Sequence, residues 1–555
     1  MAKSLVFSFP ANCTYAAGNH SSNKSSTRSC KISAHNEHVI SQGRTSQDLT
    51  YIKHMENLSK VKGVLCQRDN QLEALVAADS LKWLGIDYHF TEEIANVIDS
   101  LYEDLSNVHK RGDLFEVTLS FRLLRQAGYY VSSDILDCFV DEKGEFRSSL
   151  SKDIRGMMSL HDSSHLNTGE DILYKANKFS RDHLKISMKD LEPNLAKLVE
   201  ETLKHPYHMS LQSYKAKRHL SYCQRSSRMI GAIEEIAKRE INLNQTLHQK
   251  EVKELMKWWK DLGLAQQLTF ARDQLLKWYV WSMTAFQGPQ NSKYRIELTK
   301  VIAFVYIIDD IFDVIGSLDE LRIFTEVINK WEDSVPDSLP HYMRPLYMSL
   351  YNLTNEIANM VEKEHGFNPI GSLKRSWVRL CNAFMVEAKW FSTNSVPTTD
   401  EYLRNGAIST GVPTVFAHAF FLLGHGITNE TIYLVESGDA ALFSCPARIL
   451  RLWDDLGSAK DENQQGFDGS YLDCYMKENP HCSTYNAREH VMQMISRTWE
   501  ILNKECFSQR TFSPYLVEVS LNTARMVDVM YDYNGEQKLP MLEEYMKLLL
   551  FGNTR

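Results

Sequence analysis

The sequence predicts an all-α protein built as two helical domains, and three observations carry that reading. Apolar residues recur three or four apart, as in Leu72, Leu75, Val76, Leu81 and Leu84, and again in Ile94, Val97, Ile98, Leu101 and Leu105, the spacing that lines one helix face. Strand-like alternation is scarce. Glycine and proline, 25 and 14 in 555 residues, fall between helical stretches, as at Gly366–Pro369 and Asn479–Pro480. At a soft prior of about 150 residues per domain the chain is too long for one ordinary core, and it shows no fixed-period repeat of the kind that builds a solenoid.

Composition narrows the function. With 43% apolar and 24% charged residues the body is a folded, soluble protein. A net charge of -8 without a long Lys/Arg run disfavours nucleic acid as a partner, so an anionic substrate needs bridging cations or a local basic patch. No stretch of about 18 uncharged apolar residues occurs, so no membrane span is expected, and the chain is read as a monomer. The ten cysteines hold no C-x-x-C pair and come no closer than Cys474 and Cys482, which reads as reduced thiols and neither a zinc site nor a disulfide scaffold.

Along the chain, residues 1–36 contain no Asp or Glu but carry Lys3, Lys24, Arg28 and Lys31 among many Ser, Thr, Asn and Ala. That is the composition of a transit peptide, and the Ser-rich form points to the plastid; without a working transit peptide the compartment is the cytosol. Residues 1–45 are set apart on this ground. An amino-terminal helical domain follows over 46–240. Its His161 and His165 have a zinc-like i, i+4 spacing, but no third ligand is near, so they are read as structural. The polar stretch Lys238–Gln245 precedes the long helix through Trp258 and Trp259, which places the domain boundary there and a carboxyl-terminal domain over 241–555.

The chemistry falls in that second domain. The apolar run 301–308, Val-Ile-Ala-Phe-Val-Tyr-Ile-Ile, leads directly into Asp309-Asp310-Ile311-Phe312-Asp313. Asp309 and Asp313 stand one helical turn apart on one face, close enough to share hard cations through oxygen. Carboxylates crowded beside apolar surface repel one another and are costly to desolvate, so the arrangement makes sense chiefly if cations neutralise them. About 140 residues later, Asp454, Ser458 and Glu462 follow at i, i+4 and i+8 and align three oxygen ligands for a further ion. Arg451 and Lys460 flank them and can hold phosphate oxygens, the first as a fork and the second as a point charge.

At these two motifs the sequence resembles the plant terpene synthase family, whose class I site pairs a D-D-x-x-D helix with an N/D-D-x-x-S/T-x-x-x-E helix. The resemblance extends over about residues 50–555, including Leu84–Phe90 and Trp258–Leu262. It implies a class I terpenoid synthase bundle with a catalytically silent helical domain before it, and three Mg2+ ions, with Mn2+ as an alternative. Asp309 and Asp313 would hold two ions with Asp310 in support, and Asp454, Ser458 and Glu462 would hold the third. Arg272 would be a diphosphate ligand, and Trp281 would turn an aromatic face to the carbocation, an attraction of about 0.5–2 kcal/mol. Ser409–Pro413 matches the family's broken helix, because Pro413 has no backbone N–H to donate.

Departures from the family suggest the product. Cyclising relatives usually have a second arginine where Gln274 stands. They often carry R-R-x8-W where this chain reads Ser46–His54, and sesquiterpene cyclases have Asp-Gly-Tyr near Tyr531–Glu536. The chain thus resembles the acyclic linalool and nerolidol synthase subgroup. The expected substrate is geranyl diphosphate, hydrated at C3 to linalool, with farnesyl diphosphate giving nerolidol. A cyclising synthase and a helical protein that binds prenyl diphosphates without turnover are the alternatives. A chain-elongating prenyltransferase would need a second D-D-x-x-D, and a protonation-initiated cyclase a D-x-D-D; neither is present.

Overall fold

The computed structural model describes residues 46–67, 70–211, 228–458, 470–508, 511–531 and 540–550. The segment read as a transit peptide, Lys460, Glu462 and residues 532–536 lie outside them, and of Ser458 only the backbone position is described. The expected all-α architecture is what the chain adopts. Among the described residues the only β-pairing is an isolated bridge between Val140 and Phe146.

Two hydrophobic cores form. One collects residues from Val61 to Ala237, the other from Leu211 and then Val252 to Leu550. A single helix, Arg228–Leu262, connects them: Ala232, Ile233, Ile236 and Ala237 pack in the first core, and Val252, Leu255 and Trp259 in the second. The polar stretch Lys238–Gln245 therefore lies inside this helix and does not precede it. No glycine or proline falls between Gly231 and Gly263, and Glu240 is buried where it accepts the Tyr88 hydroxyl at 2.6 Å, so nothing interrupts the backbone until Gly263 turns left-handed at φ 70°.

The two cores are joined by buried polar contacts. Asn503 donates to the carbonyls of His165 and Asn167 at 3.0 and 2.9 Å, pairs with His208 Nε2 at 2.8 Å, and Arg525 donates to the His208 carbonyl at 2.8 Å. His161 and His165 pack edge to face, 4.9 Å between centroids, against Ser180, Asn177 and Met209.

One further anchor positions the second domain's centre. Glu251 of the long helix receives both Arg295 Nε and Nη2, at 2.9 and 2.6 Å, together with the Tyr279 hydroxyl at 2.6 Å. This fixes helices Leu275–Ala285 and Ser292–Asp310 to it. Burial alone would push the Glu251 carboxyl upward, but the Arg295 fork and His248 outweigh it and hold it well below the usual range. The most apolar long stretch, Thr399–Leu423, is 72% buried in its richest window, as a core helix would be.

Candidate active site

The aspartate helix Ser292–Asp310 runs through the centre of the second core, with Leu298, Val301, Ala303, Phe304, Ile307 and Ile308 at or near zero exposure. Its end is not plain α-helix. Ile311–Ile315 widen into a π-turn, a form common at functional sites, and Gly316 closes it where a Cβ would meet Leu321 Cδ2 at 2.4 Å. Asp309 and Asp313 thus stand on either side of the junction. Asp310 faces inward, 2% exposed, and accepts the Arg272 backbone N–H at 2.7 Å and its Nε. Arg272 Nη2 also donates to Asp309 at 2.6 Å, and the guanidinium lies 5.3 Å from the Tyr306 ring centre. Trp281 is in the core beside this group and donates from Nε1 to the Tyr306 hydroxyl at 3.2 Å.

The facing wall is helix Ala441–Ser458, which carries Arg451, Asp454 and Asp455. Arg451 rests on Gly406, whose missing side chain leaves it room: a Cβ there would lie 3.0 Å from Arg451 Nε. It donates to Ser409 Oγ at 2.9 Å, and Ser409 donates in turn to Glu387 at 2.6 Å. Asp455 is an anchor, taking the Tyr402 hydroxyl at 3.0 Å and the Tyr471 N–H at 2.8 Å. The helix break between Thr399–Ser409 and Val412–Leu423 supplies Ser409, and Gly411 makes it with φ 75° at a point where a Cβ would strike Val305 Cγ1 at 2.3 Å.

The acids of the two walls act on one another. The Asp313 carboxyl is held well above its usual range by burial, then by Asp309 and Glu387, against Arg272 and Arg451. Glu387 is raised by burial and by Asp309, with Arg451 opposing, and Asp454 by burial and Asp309, with Arg451 and Lys277 opposing. Asp313 is exposed and Glu387, Arg451 and Asp454 are half-buried, so solvent reaches the space between the two walls, the recess, across which these charges act on one another. A void of about 230 Å³ lies against Trp259, Leu268, Ala271 and Ile307 and is lined by none of these acids.

The donor set fits hard divalent cations, being all carboxylate oxygen with more negative charge than the local cations balance. Among the described residues, no three such groups converge on one coordination sphere. The carboxylates are divided between the walls, and Arg272 holds Asp309.

Structure thus brings Arg272, Asp309, Asp310, Asp313, Arg451, Asp454 and Trp281 into one region. It adds Glu387 and Lys277, which sequence reasoning missed. Both left a signal. Glu387 continues the buried stripe of Leu373, Leu380 and Phe384 at helical spacing, and Lys277 is the one charged residue of Leu275–Ala285.

Comparison with known proteins agrees in extent and in fold. The family described as "Terpene synthase family, metal binding domain" matches residues 260–501, and "Terpene synthase, N-terminal domain" matches residues 27–203. The chain is 44% identical to an (E)-nerolidol synthase of Cannabis sativa, over 91% of this chain and 93% of that one. It is 39% identical to the chloroplastic S-(+)-linalool synthase of Arabidopsis thaliana, over 98% and 96%. Isoprene synthase of grey poplar, solved with three Mg2+ ions and dimethylallyl-S-thiolodiphosphate, superposes with a TM-score of 0.86 at 32% identity, over 91% of this chain and 97% of that one. Two matched domains, relatives aligned from end to end and a common fold place this chain in the plant terpene synthase family.

Proposed function

We propose that the protein ionises geranyl diphosphate and adds water at C3 of the allylic cation to give linalool, and that it makes nerolidol when farnesyl diphosphate is supplied. The carrying observation is that charges of the two walls act on one another, Asp309 on Asp454 and Arg451 on Asp313, with Arg272 bonded to Asp309 beside them. As a family member the chain is a divalent-metal-dependent lyase of prenyl diphosphates. Product and chain length go beyond that, and rest on Gln274, on the missing R-R-x8-W motif, and on the likeness to a linalool and a nerolidol synthase.

In this reading Asp309 and Asp313, backed by Asp310, hold two Mg2+ ions, and Asp454 with Ser458 and Glu462 holds a third. Bound there, the ions supply the positive charge that makes diphosphate a good leaving group. Arg272, Arg451 and Lys460 bind its oxygens and stabilise the charge that builds as the C1–O bond breaks. The bonding pair leaves with diphosphate. Water oxygen bonds to C3, and its spare proton passes to a released diphosphate oxygen. Trp281 faces the cationic chain. The geranyl C2–C3 double bond is E and keeps C1 from the distal alkene, so direct capture at C3 leaves the product acyclic. The domain boundary is assigned near residue 240. Residues 1–45 are assigned as a plastid transit peptide, in line with the chloroplastic designation of the Arabidopsis relative, and the chain as a monomer.

The deciding experiment incubates the protein, trimmed to about residue 45, with Mg2+ and geranyl or farnesyl diphosphate separately, and identifies volatiles by gas chromatography and mass spectrometry. Linalool and nerolidol are expected. Cyclic terpenes would replace this reading with a cyclase, and binding without release of inorganic diphosphate would replace it with a non-catalytic binder.

A further inference from the structure

Helix Leu275–Ala285 reads Leu-Leu-Lys-Trp-Tyr-Val-Trp-Ser-Met-Thr-Ala, and an ammonium in such a run carries a desolvation cost that its surroundings must offset. Lys277 Nζ lies 5.9 Å from the ring centres of both Tyr306 and Tyr531. Arg272, on the aspartate wall, and Asp454, on the opposite wall, both act on it electrostatically. Lys277 therefore stands between the two metal-binding walls.

The cations of the recess differ in what they already hold. The Arg272 guanidinium is bonded to Asp309 and Asp310, and Arg451 to Ser409, with Glu387 at 3.8 Å. Lys277 makes no hydrogen bond and no ion pair among the described residues, so its three donors remain for an acceptor that enters the recess. From this geometry we infer that Lys277 is a diphosphate-binding residue, a recess cation that meets the leaving group with donors that no described residue of the protein engages. It does for this chain what a second arginine would do at Gln274, one turn earlier. Burial and Arg272 draw its pKa down to about 8 against the pull of Asp454, which still leaves the side chain mostly charged at neutral pH. The arriving anion strengthens that charge.

This inference rests on the proposed binding of a diphosphate between the walls, and one set of titrations separates the two. Inorganic diphosphate is titrated calorimetrically, with Mg2+ present, into the wild type, Lys277→Gln, Lys277→Met and Lys277→Arg. Circular dichroism confirms that each is folded at the working temperature. Removing the charge is expected to weaken binding at least about tenfold in both neutral variants, whereas Lys277→Arg stays within about threefold of the wild type. The kcat/KM for geranyl diphosphate should fall in parallel. Neutral variants that bind Mg2+-diphosphate as tightly as the wild type would overturn the role of Lys277 and leave the proposed reaction standing. A wild type that binds Mg2+-diphosphate but turns over no prenyl diphosphate would overturn the reaction, while the affinity ratio would still establish the role of Lys277. A wild type that does not bind Mg2+-diphosphate at all would overturn both.

Discussion

The amino-terminal core and the recess of the second domain treat charge in opposite ways. In the amino-terminal core, Arg122 Nη1 and Nη2 fork onto both oxygens of Asp79 at 2.8 Å, and its guanidinium covers the Tyr207 ring at 4.6 Å. Arg125 spends its donors on Glu170 and on the carbonyls of Val131 and Leu166. Both guanidinium groups there are met by acceptors within the protein, and the Arg122 pKa rises although burial works against it. The recess of the second domain instead crowds Asp309, Asp313, Glu387 and Asp454 and leaves three of them with raised carboxyl pKa values. Matched pairs hold elements together. An unmatched excess of one sign, kept in a recess, is a demand for a ligand of the other sign.

That contrast is open to mutation. Asp309→Ala or Asp313→Ala should lower kcat by about three orders of magnitude or more, because each removes a ligand for the charge that drives ionisation. Helical circular dichroism should be unchanged in both, and for Asp313→Ala the melting temperature should be no lower, since a like charge has been relieved. Retained turnover would break the assignment. In the other domain, Arg122→Ala leaves Asp79 without its fork and should cost about 3–5 kcal/mol of stability, read by denaturant unfolding, with kcat unchanged wherever the variant is folded. An Arg122 variant that lost activity and kept its stability would erase the distinction between the regions.

The same contrast explains what was legible in the sequence. The all-α class was readable because helical periodicity reports burial directly, and Asp309–Asp313 stood out because three acids follow eight apolar residues. The polar stretch 238–245 misled because side-chain polarity does not interrupt a helix, and its Glu240 is buried against Tyr88. Asp310 was legible as a supporting acid, but its bond to the Arg272 backbone depends on a loop fold that no local pattern encodes. The π-turn at Ile311–Ile315 and the Arg451–Ser409–Glu387 chain were hidden for a similar reason, since they arise where separate helices meet.

Protonation sharpens the comparison at intermediate energies. Asp455, behind the recess, is pushed up to about 7, by burial first, against Arg451. Its folded pKa exceeds the ordinary value, so the native state holds a proton that the unfolded chain has lost. That stabilisation is full below about pH 4 and disappears as pH rises through about 7. His208, at the junction of the cores, is drawn down to about 3 by burial and then by Arg525. Its contribution is full above about pH 6.5 and is lost as pH falls towards 3. Metal-free protein should therefore be most stable on the acid side of neutrality. Millimolar Mg2+ should raise the melting temperature more at about pH 8 than at about pH 5, because the acids of the recess are then charged. Scanning fluorimetry across pH with and without Mg2+ reads this directly, and an increment independent of pH would mean that the recess is not where the metal acts.

The smallest expected effect tests the link between the walls. Ser409 Oγ accepts from Arg451 and donates to Glu387, so it sets where the guanidinium points without touching the aspartate helix. Ser409→Ala removes one neutral hydrogen-bonding partner from a side chain that keeps its contact with Gly406 and its long-range attraction to Glu387. A loss of about 1 kcal/mol follows, about fivefold in kcat/KM. If Arg451 acts on the leaving group in the transition state, the loss should fall mainly on kcat, with the melting temperature shifted little. If Arg451 serves only to neutralise Glu387, the same variant should lose stability and leave kcat alone, and the second wall would then resemble the matched pairs of the amino-terminal core.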